Sequence, residues 1–351
     1  MLNNGLTKKK KTKVAFFSPY YEQPRGNSTT AKRIEAGMKQ AGYELDIFAY
    51  EEESCLKRAQ KLIEQADLVH ILHLRRFQLW QKRTNVSVTK PYVLTSGGTD
   101  INHDIFIDEY ASDLRGLVAK ACAITVFSED GKQKVKRVFT MNDDLVYVIP
   151  QSIWLPSYPE TVQVEPKACS VIEGPHLLLP AGLRPVKDVL YLLPVLPKLK
   201  ERYPNLTFTI IGAVLDQHVY EQVKAACHTY EWIHYHKEVP LEEMADIYKQ
   251  ADIVVNTSVS EGQSTAILEA MYIGKPVIAR QNEGNASIIQ DGHNGYLFSS
   301  PEEFELKLDS LLAHPDDASL LFGNARKTVV DTFRFNTEIE RYIDVYRHCQ
   351  T

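Results

Sequence analysis

IVVNTSVSEGQSTAILEAMYIGKPVIA, residues 253–279, reads as strand, turn, helix and strand in succession. An apolar run at 253–256 is followed by a polar turn, then by helical spacing over 264–273, then by a second apolar run at 276–279. Two strands joined through a helix form a βαβ unit, in which the strands lie parallel and helices cover the sheet. The alternation continues upstream, with strands at 176–179, 207–211 and 232–235 and helices over 188–202 and 241–250. Downstream, helices starting at Pro301 and Asn336 finish the chain.

A second series of the same kind occupies the first half. An apolar run at 14–18 ends at Pro19, and Ala31, Ile34 and Met38 give helical spacing over 29–41, closed by Gly42. Strands are expected at 44–48, 68–72, 92–95, 123–127 and 146–149. From 155 to 175 the alternation lapses around Pro156, Pro159, Pro166 and Pro175, the mark of a linker. The pattern therefore predicts an α/β protein of two Rossmann-like domains, 1–160 and 176–332, joined by a linker at 161–175 and followed by a last helical segment at 333–351. A length of 351 residues suits two domains of ordinary size. In open parallel sheets ligands bind beyond the carboxyl ends of the strands, so the cleft between the domains is the expected site.

Composition narrows the function. A formal charge of −5 gives no electrostatic reason to expect nucleic acid. The basic block Lys8 to Lys11, with Lys13, reads as a solvated tail, with weak contact to an anionic membrane as the other reading. Cys55, Cys122, Cys169, Cys227 and Cys349 are scattered and odd in number, which argues against a disulfide framework or zinc site and for a reducing cytoplasm. No stretch approaches a membrane span, and the first residues lack the apolar core of a signal peptide.

Neither G-x-G-x-x-G after a strand nor G-x-x-x-x-G-K-[ST] occurs, which removes the main support for dinucleotide and P-loop readings. No D-x-D occurs to hold a metal, so a bound diphosphate must be neutralised by protein groups. The sequence offers such groups. In the 258–269 segment Gly262 is expected to let the backbone turn tightly, and Ser264 or Thr265 to cap the helix. The amides of that first turn, with the positive end of the helix dipole, form an anion site. Glu261 stands before the turn, where its carboxylate can face the cleft, and Glu269 lies deeper on the face of Thr265. Upstream, Ala181-Gly-Leu-Arg-Pro-Val-Lys187 follows a strand and aims Arg184 and Lys187 at the same sheet edge.

Taken together, Glu261 and Glu269 in E-x7-E spacing, Arg184, Lys187 and Asp291-Gly-His-Asn-Gly-Tyr-Leu297 resemble the family-4 retaining glycosyltransferases of GT-B fold. Within that family the likeness extends to Gly26-Asn-Ser-Thr-Thr30, Gly97-Gly-Thr-Asp100, Val259-Ser-Glu-Gly262 and Gly284-Asn-Ala286. The resemblance implies a metal-independent hexosyltransferase with a nucleotide-sugar donor, UDP-linked, transfer to an acceptor with retention, and no cofactor beyond the donor. It makes Arg184 and Lys187 the diphosphate clamp, Glu269 the holder of the ribose and Glu261 the carboxylate that meets the donor sugar. Gly262, Gln263, Ser264 and Thr265 would supply backbone donors, and Gly26 with Asn27 the glycine loop that reaches the phosphates from across the cleft. It also implies that the last segment, with Phe335, Ile339, Tyr342, Ile343 and Tyr346 near helical spacing, crosses back to the N-terminal domain.

Two departures from the family pattern stand out. Gly97 occupies a position where many members carry a histidine, with His103 nearby on the loop, and the clamp segment is one residue shorter than the common form. Asp100 can either orient an acceptor hydroxyl or cap the next segment. A nucleotide-sugar epimerase, a phosphorylase and a non-catalytic nucleotide-sugar-binding protein are the alternative functions.

Overall fold

The computed structural model describes residues 11–156 and 174–350. Lys8, Lys9, Lys10, Cys169 and all but the end of the expected linker lie outside the described residues. The first sheet contains β1 (Lys13–Ser18), β2 (Glu44–Ala49), β3 (Leu68–Leu72), β4 (Tyr92–Thr95), β5 (Ala123–Val126) and β6 (Val146–Val148). The second contains β7 (His176–Pro180), β8 (Thr207–Ile211), β9 (Ile233–His236), β10 (Ile253–Asn256), β11 (Val277–Arg280) and β12 (Tyr296–Phe298). Every named pair is parallel.

Strand order places the ligand crevices. The first sheet runs β2-β1-β3-β4-β5-β6, so the order reverses between β1 and β3. The second runs β9-β8-β7-β10-β11-β12, the doubly wound order in which the reversal falls between β7 and β10. At each reversal the loops leaving the two strands diverge to opposite faces of the sheet and open a crevice. The clamp segment leaves β7, and the segment before Glu269 leaves β10. Both therefore reach the same switch point.

Helices cover both sheets through ordinary apolar faces. Phe17, Phe48, Phe77 and Trp80 meet under the first sheet, with ring centroids 5.4–5.8 Å apart. Leu177, Phe208, Ile253, Phe298 and Phe304 form the corresponding core of the second. Two local expectations are corrected, and one strand is added. The first helix starts at Gly26 rather than at residue 29 and runs to Gln40. No continuous helix spans 188–202: a 3-10 turn at Pro185–Lys187 leads through Asp188, at φ 43°, and the helix proper is Leu196–Arg202. The short β12 was missed, because three residues carry too little periodicity to register.

The helix Phe335–His348 belongs to the first domain's core. Its Ile339, Tyr342, Val345 and Tyr346 pack on Val14, Phe16, Ile34 and Met38. Gly37 makes room for it, since a Cβ there would lie 2.2 Å from Ile339 Cγ1. Two polar links fix the helix in place. Buried His70 bridges Tyr346 Oη (2.5 Å) and Thr95 Oγ1 (2.6 Å), and burial pushes its pKa down to about 3, so the ring stays neutral. Arg33 and Glu338, both fully buried, form a two-point pair at 2.8 and 3.1 Å. Glu338 Oε2 also accepts from the Ser152 amide at 3.0 Å.

Removing one partner of a buried pair strands the other's charge, which costs about 3–5 kcal/mol, while replacing both with apolar groups is often neutral. Glu338→Ala should therefore lower unfolding free energy in urea by about that amount. The double variant Arg33→Met/Glu338→Leu should recover most of it.

Candidate active site

One cavity of about 270 Å³ lies between the domains, at the carboxyl ends of both sheets. From the second domain it is lined by Gly182, Arg184, Lys187, Glu261, Gly262, Gln263, Ser264 and Thr265. From the first come Gly26, Asn27 and Asp100, together with Tyr20, Arg25, His73, Arg76 and Gln151, which sequence reasoning did not single out.

The second domain's side is an anion site with one carboxylate built in. The helix Thr265–Ile273 begins after Ser264, and no side chain caps its first amides. The expected Ser/Thr cap is absent because the Ser264 hydroxyl accepts from Asn256 Nδ2 at 3.3 Å instead. The uncapped amides face the cavity-lining turn, where the dipole favours negative charge. Lys187 Nζ lies 2.5 Å from Glu261 Oε1, which also accepts from Ser258 Oγ at 2.7 Å. Burial alone would raise the Glu261 pKa, but Lys187, Ser258 and Asn256 outweigh it and hold the carboxyl below its usual range. Arg184 is half-buried with no carboxylate in salt-bridge range among the described residues. Burial, with the fields of Arg76 and Arg25, lowers its pKa against the pull of Glu261.

Gly262 acts differently from expectation. It is not among the glycines of positive φ, so no tight turn demands it. A Cβ there would lie 1.1 Å from the Gly97 carbonyl oxygen of the opposite domain. It is close approach across the cleft that requires glycine. Gly97 is itself hemmed in: a Cβ there would meet the Phe127 ring at 2.2 Å. Around this contact the domains are tied by hydrogen bonds. Asn102 Nδ2 donates to the Glu261 carbonyl (2.8 Å), the Gln151 amide to Gln263 Oε1 (2.5 Å), and Gln151 Nε2 to the Gln263 carbonyl (2.9 Å).

Glu269 does not line the cavity. It sits a turn deeper, buried, with Oε2 accepting from Tyr248 Oη at 2.7 Å. Burial pushes its pKa up to about 7, although the Tyr248 hydrogen bond and Arg33 pull the other way. Asp100 lines the cavity with both carboxylate oxygens held by backbone amides. Its Oδ1 accepts from the amides of Gly98 (3.2 Å) and Ile101 (3.1 Å), and its Oδ2 from that of Leu74 (3.0 Å). His103 is exposed and does not line the cavity.

Apart from Gln151, which comes after β6, the missed residues follow β1 and β3, at the first domain's own switch point. His73 takes φ 73° and ψ 96°, outside the left-handed basin, a strain of order 1–3 kcal/mol of the kind that clusters at active sites. Its Nδ1 lies 3.3 Å from Asp100 Oδ2, and burial lowers its pKa against the raising field of that carboxylate. A lone His, Arg or Tyr after a strand carries no motif; only strand order would have flagged these positions.

Comparison with known proteins agrees with this fold. Residues 172–328 match the family model "Glycosyl transferases group 1". The chain is 28% identical over 329 residues to "Glycosyltransferase 1 domain-containing protein 1" of Xenopus tropicalis, covering 90% of this chain and 92% of that one. It is 25% identical over 191 residues to a trehalose synthase of Pyrococcus horikoshii, 49% of this chain and 44% of that one. Among solved structures, Anabaena Alr3699/HepE in complex with UDP-glucose superposes with a TM-score of 0.76 at 16% identity, over 96% of this chain and 99% of that one. A glycosyltransferase from Rickettsia africae gives 0.73 at 18%, over 97% and 99%. The fold is GT-B. Residues 172–328 are similar to the group 1 glycosyltransferases.

Among the described residues no group of three His, Cys, Asp or Glu side chains is placed to hold a metal, and no helix is long and apolar enough to cross a membrane.

The raised Glu269 pKa has a sign that can be tested. Between its unfolded value of 4.5 and about 7 the unfolded chain ionises this group while the folded chain does not. Its contribution to stability is full below the lower value and is lost as pH rises through the upper. Stability of the wild type relative to Glu269→Gln, read from urea unfolding at a series of pH values, should fall across that window and level off above it.

Proposed function

We propose that the chain transfers a hexose from a UDP-linked donor to an acceptor held by the N-terminal domain, with retention of configuration and without a metal. The observation that carries this reading is the convergence of Arg184, Lys187, Glu261 and the uncapped helix amides on one cavity at the β7/β10 switch point. That set suits a diphosphate next to a sugar: cations and amides for the phosphates, one carboxylate for hydroxyls. The likeness to a UDP-glucose complex of HepE supports it. The scattered cysteines suit a cytoplasmic setting.

In the reaction the bond from the anomeric carbon to the diphosphate oxygen breaks through an oxocarbenium-like transition state. The acceptor oxygen bonds to that carbon from the leaving-group side, and its proton passes to the departing diphosphate oxygen. Arg184, Lys187 and the amides stabilise the charge that builds on the diphosphate. Removing one preorganised donor of this kind costs about 10²–10³ in turnover. No side-chain nucleophile is required. Glu261, paired with Lys187 in the cavity wall, meets the sugar hydroxyls. The ribose reaches past Thr265, beyond the present cavity wall, where Glu269 Oε1, which has no hydrogen-bond partner among the described residues, accepts from it.

The two glutamates then separate in measurement. Glu269→Ala should weaken UDP binding by roughly the 1.5–3 kcal/mol of a charge-assisted hydrogen bond. Glu261→Ala should leave UDP affinity nearly unchanged and lower turnover, because its contact strengthens in the transition state. Calorimetry with UDP and steady-state kinetics on both variants decide it; equal losses of UDP affinity would refute the division. UDP release should depend on acceptor and survive EDTA, whereas isomerisation of the donor without acceptor would point to an epimerase.

A further inference from the structure

Two half-buried arginines face carboxylates: Arg75 meets Asp113, and Arg280 meets Asp188. Arg25 and Arg76 do not. Both line the cavity, and neither has an acidic partner among the described residues. They are nevertheless held firmly. Arg25 stacks on the Tyr20 ring, its guanidinium carbon 4.1 Å from the centroid, and its Nε donates to Gln23 Oε1 at 3.0 Å. Arg76 approaches the same ring at 5.5 Å, and its Nη1 donates to Tyr20 Oη at 3.1 Å. The carboxylate on the neighbouring loop that could have neutralised Arg25, Glu52, instead accepts from the amides of Tyr21, Glu22 and Gln23.

We propose that Tyr20, Arg25 and Arg76 form a subsite for the phosphate group of a phosphorylated acceptor. Three observations converge on it. A guanidinium has five donors, and each of these two uses one in the protein, so eight face outward or inward without an acceptor among the described residues. Two forks with no carboxylate match the oxygens of a phosphate monoester, which carries nearly two charges at neutral pH. Finally, Tyr20 and Arg25 follow β1 and Arg76 follows β3, so the platform stands at the first domain's switch point, whereas the donor's diphosphate groups stand at the second domain's. Both sets face one cavity, from opposite walls. The inference rests on the proposed donor site, since it assigns the remaining half of the same cleft.

The test keeps the two readings apart. The full chain is saturated with UDP, and its melting temperature is followed as inorganic phosphate replaces chloride at constant ionic strength. A ligand that binds only the native state raises that temperature saturably. Phosphate should do so on top of UDP, and Arg25→Ala/Arg76→Ala should weaken the phosphate response by at least about 10- to 100-fold, the range for one lost charge-assisted hydrogen bond, while UDP affinity by calorimetry stays unchanged. Should the double variant fail to fold, Arg76→Gln carries the same measurement. Absence of any phosphate effect on the UDP-saturated chain overturns the subsite. A loss of UDP affinity as large as the loss of phosphate response also overturns it, assigning both arginines to the donor. If UDP itself leaves the melting temperature where it is, the donor reading falls first and this one with it.

Discussion

The Gly97 carbonyl and the Gly262 backbone meet with no space between them for a side chain. This contact sets the width of the cleft. On its two sides stand the loops that matter: Asp100 and Asn102 from one domain, Glu261 and Gln263 from the other. With the Gln151–Gln263 hydrogen bonds it fixes where the uncapped helix amides point relative to the first domain. Gln151 in turn accepts from Thr30 Oγ1 and Arg33 Nη2, so the donor-side loop is referenced through one glutamine to the first helix and the last. The polar groups in that chain are buried and mutually satisfied, the condition under which such networks rigidify rather than weaken a structure.

Charge is distributed unevenly across this fixed gap. On the second domain's wall Lys187 and Glu261 neutralise each other, so Arg184 and the helix dipole dominate the field a ligand meets. On the first domain's wall the acidic residue nearest the crevice, Asp100, has both oxygens taken by backbone amides. Its charge is used to hold the starts of two segments together and is already solvated by the protein. The cleft is thus cationic because Arg25, Arg76, Arg184 and Lys187 outnumber two carboxylates that are already committed to other partners.

Much of this was legible in the sequence. The 253–279 unit and its repeats give both sheets, because parallel strands buried on two faces appear as short apolar runs at regular intervals. Arg184, Lys187 and Glu261 could be placed at one edge, since both loops leave strands of the same sheet. What sequence could not supply was contact across domains. Gly262 looks like a turn glycine until Gly97 is brought against it, and Ser264 looks like a cap until Asn256 approaches its hydroxyl. Glu269 fits a helix face equally well at the surface or under it, and only packing against Tyr248 decides. Tyr20, Arg25, His73 and Arg76 are ordinary residue types that become a set only when β1 and β3 are known to be neighbours.

The last helix has a consequence for how the molecule is made. Glu338 closes a pair with Arg33, 305 positions earlier in the chain, and Tyr346 reaches back to His70 across 276. The first domain's hydrophobic face over Val14, Phe16 and Ile34 therefore stays uncovered throughout synthesis of the second domain. Nascent chains ordinarily fold their leading domain as a unit while the rest is still emerging, and contacts of long sequence separation are the slow ones. Here the leading domain emerges first and is completed last, leaving an apolar surface that a growing chain on the ribosome must shield until its final turns arrive.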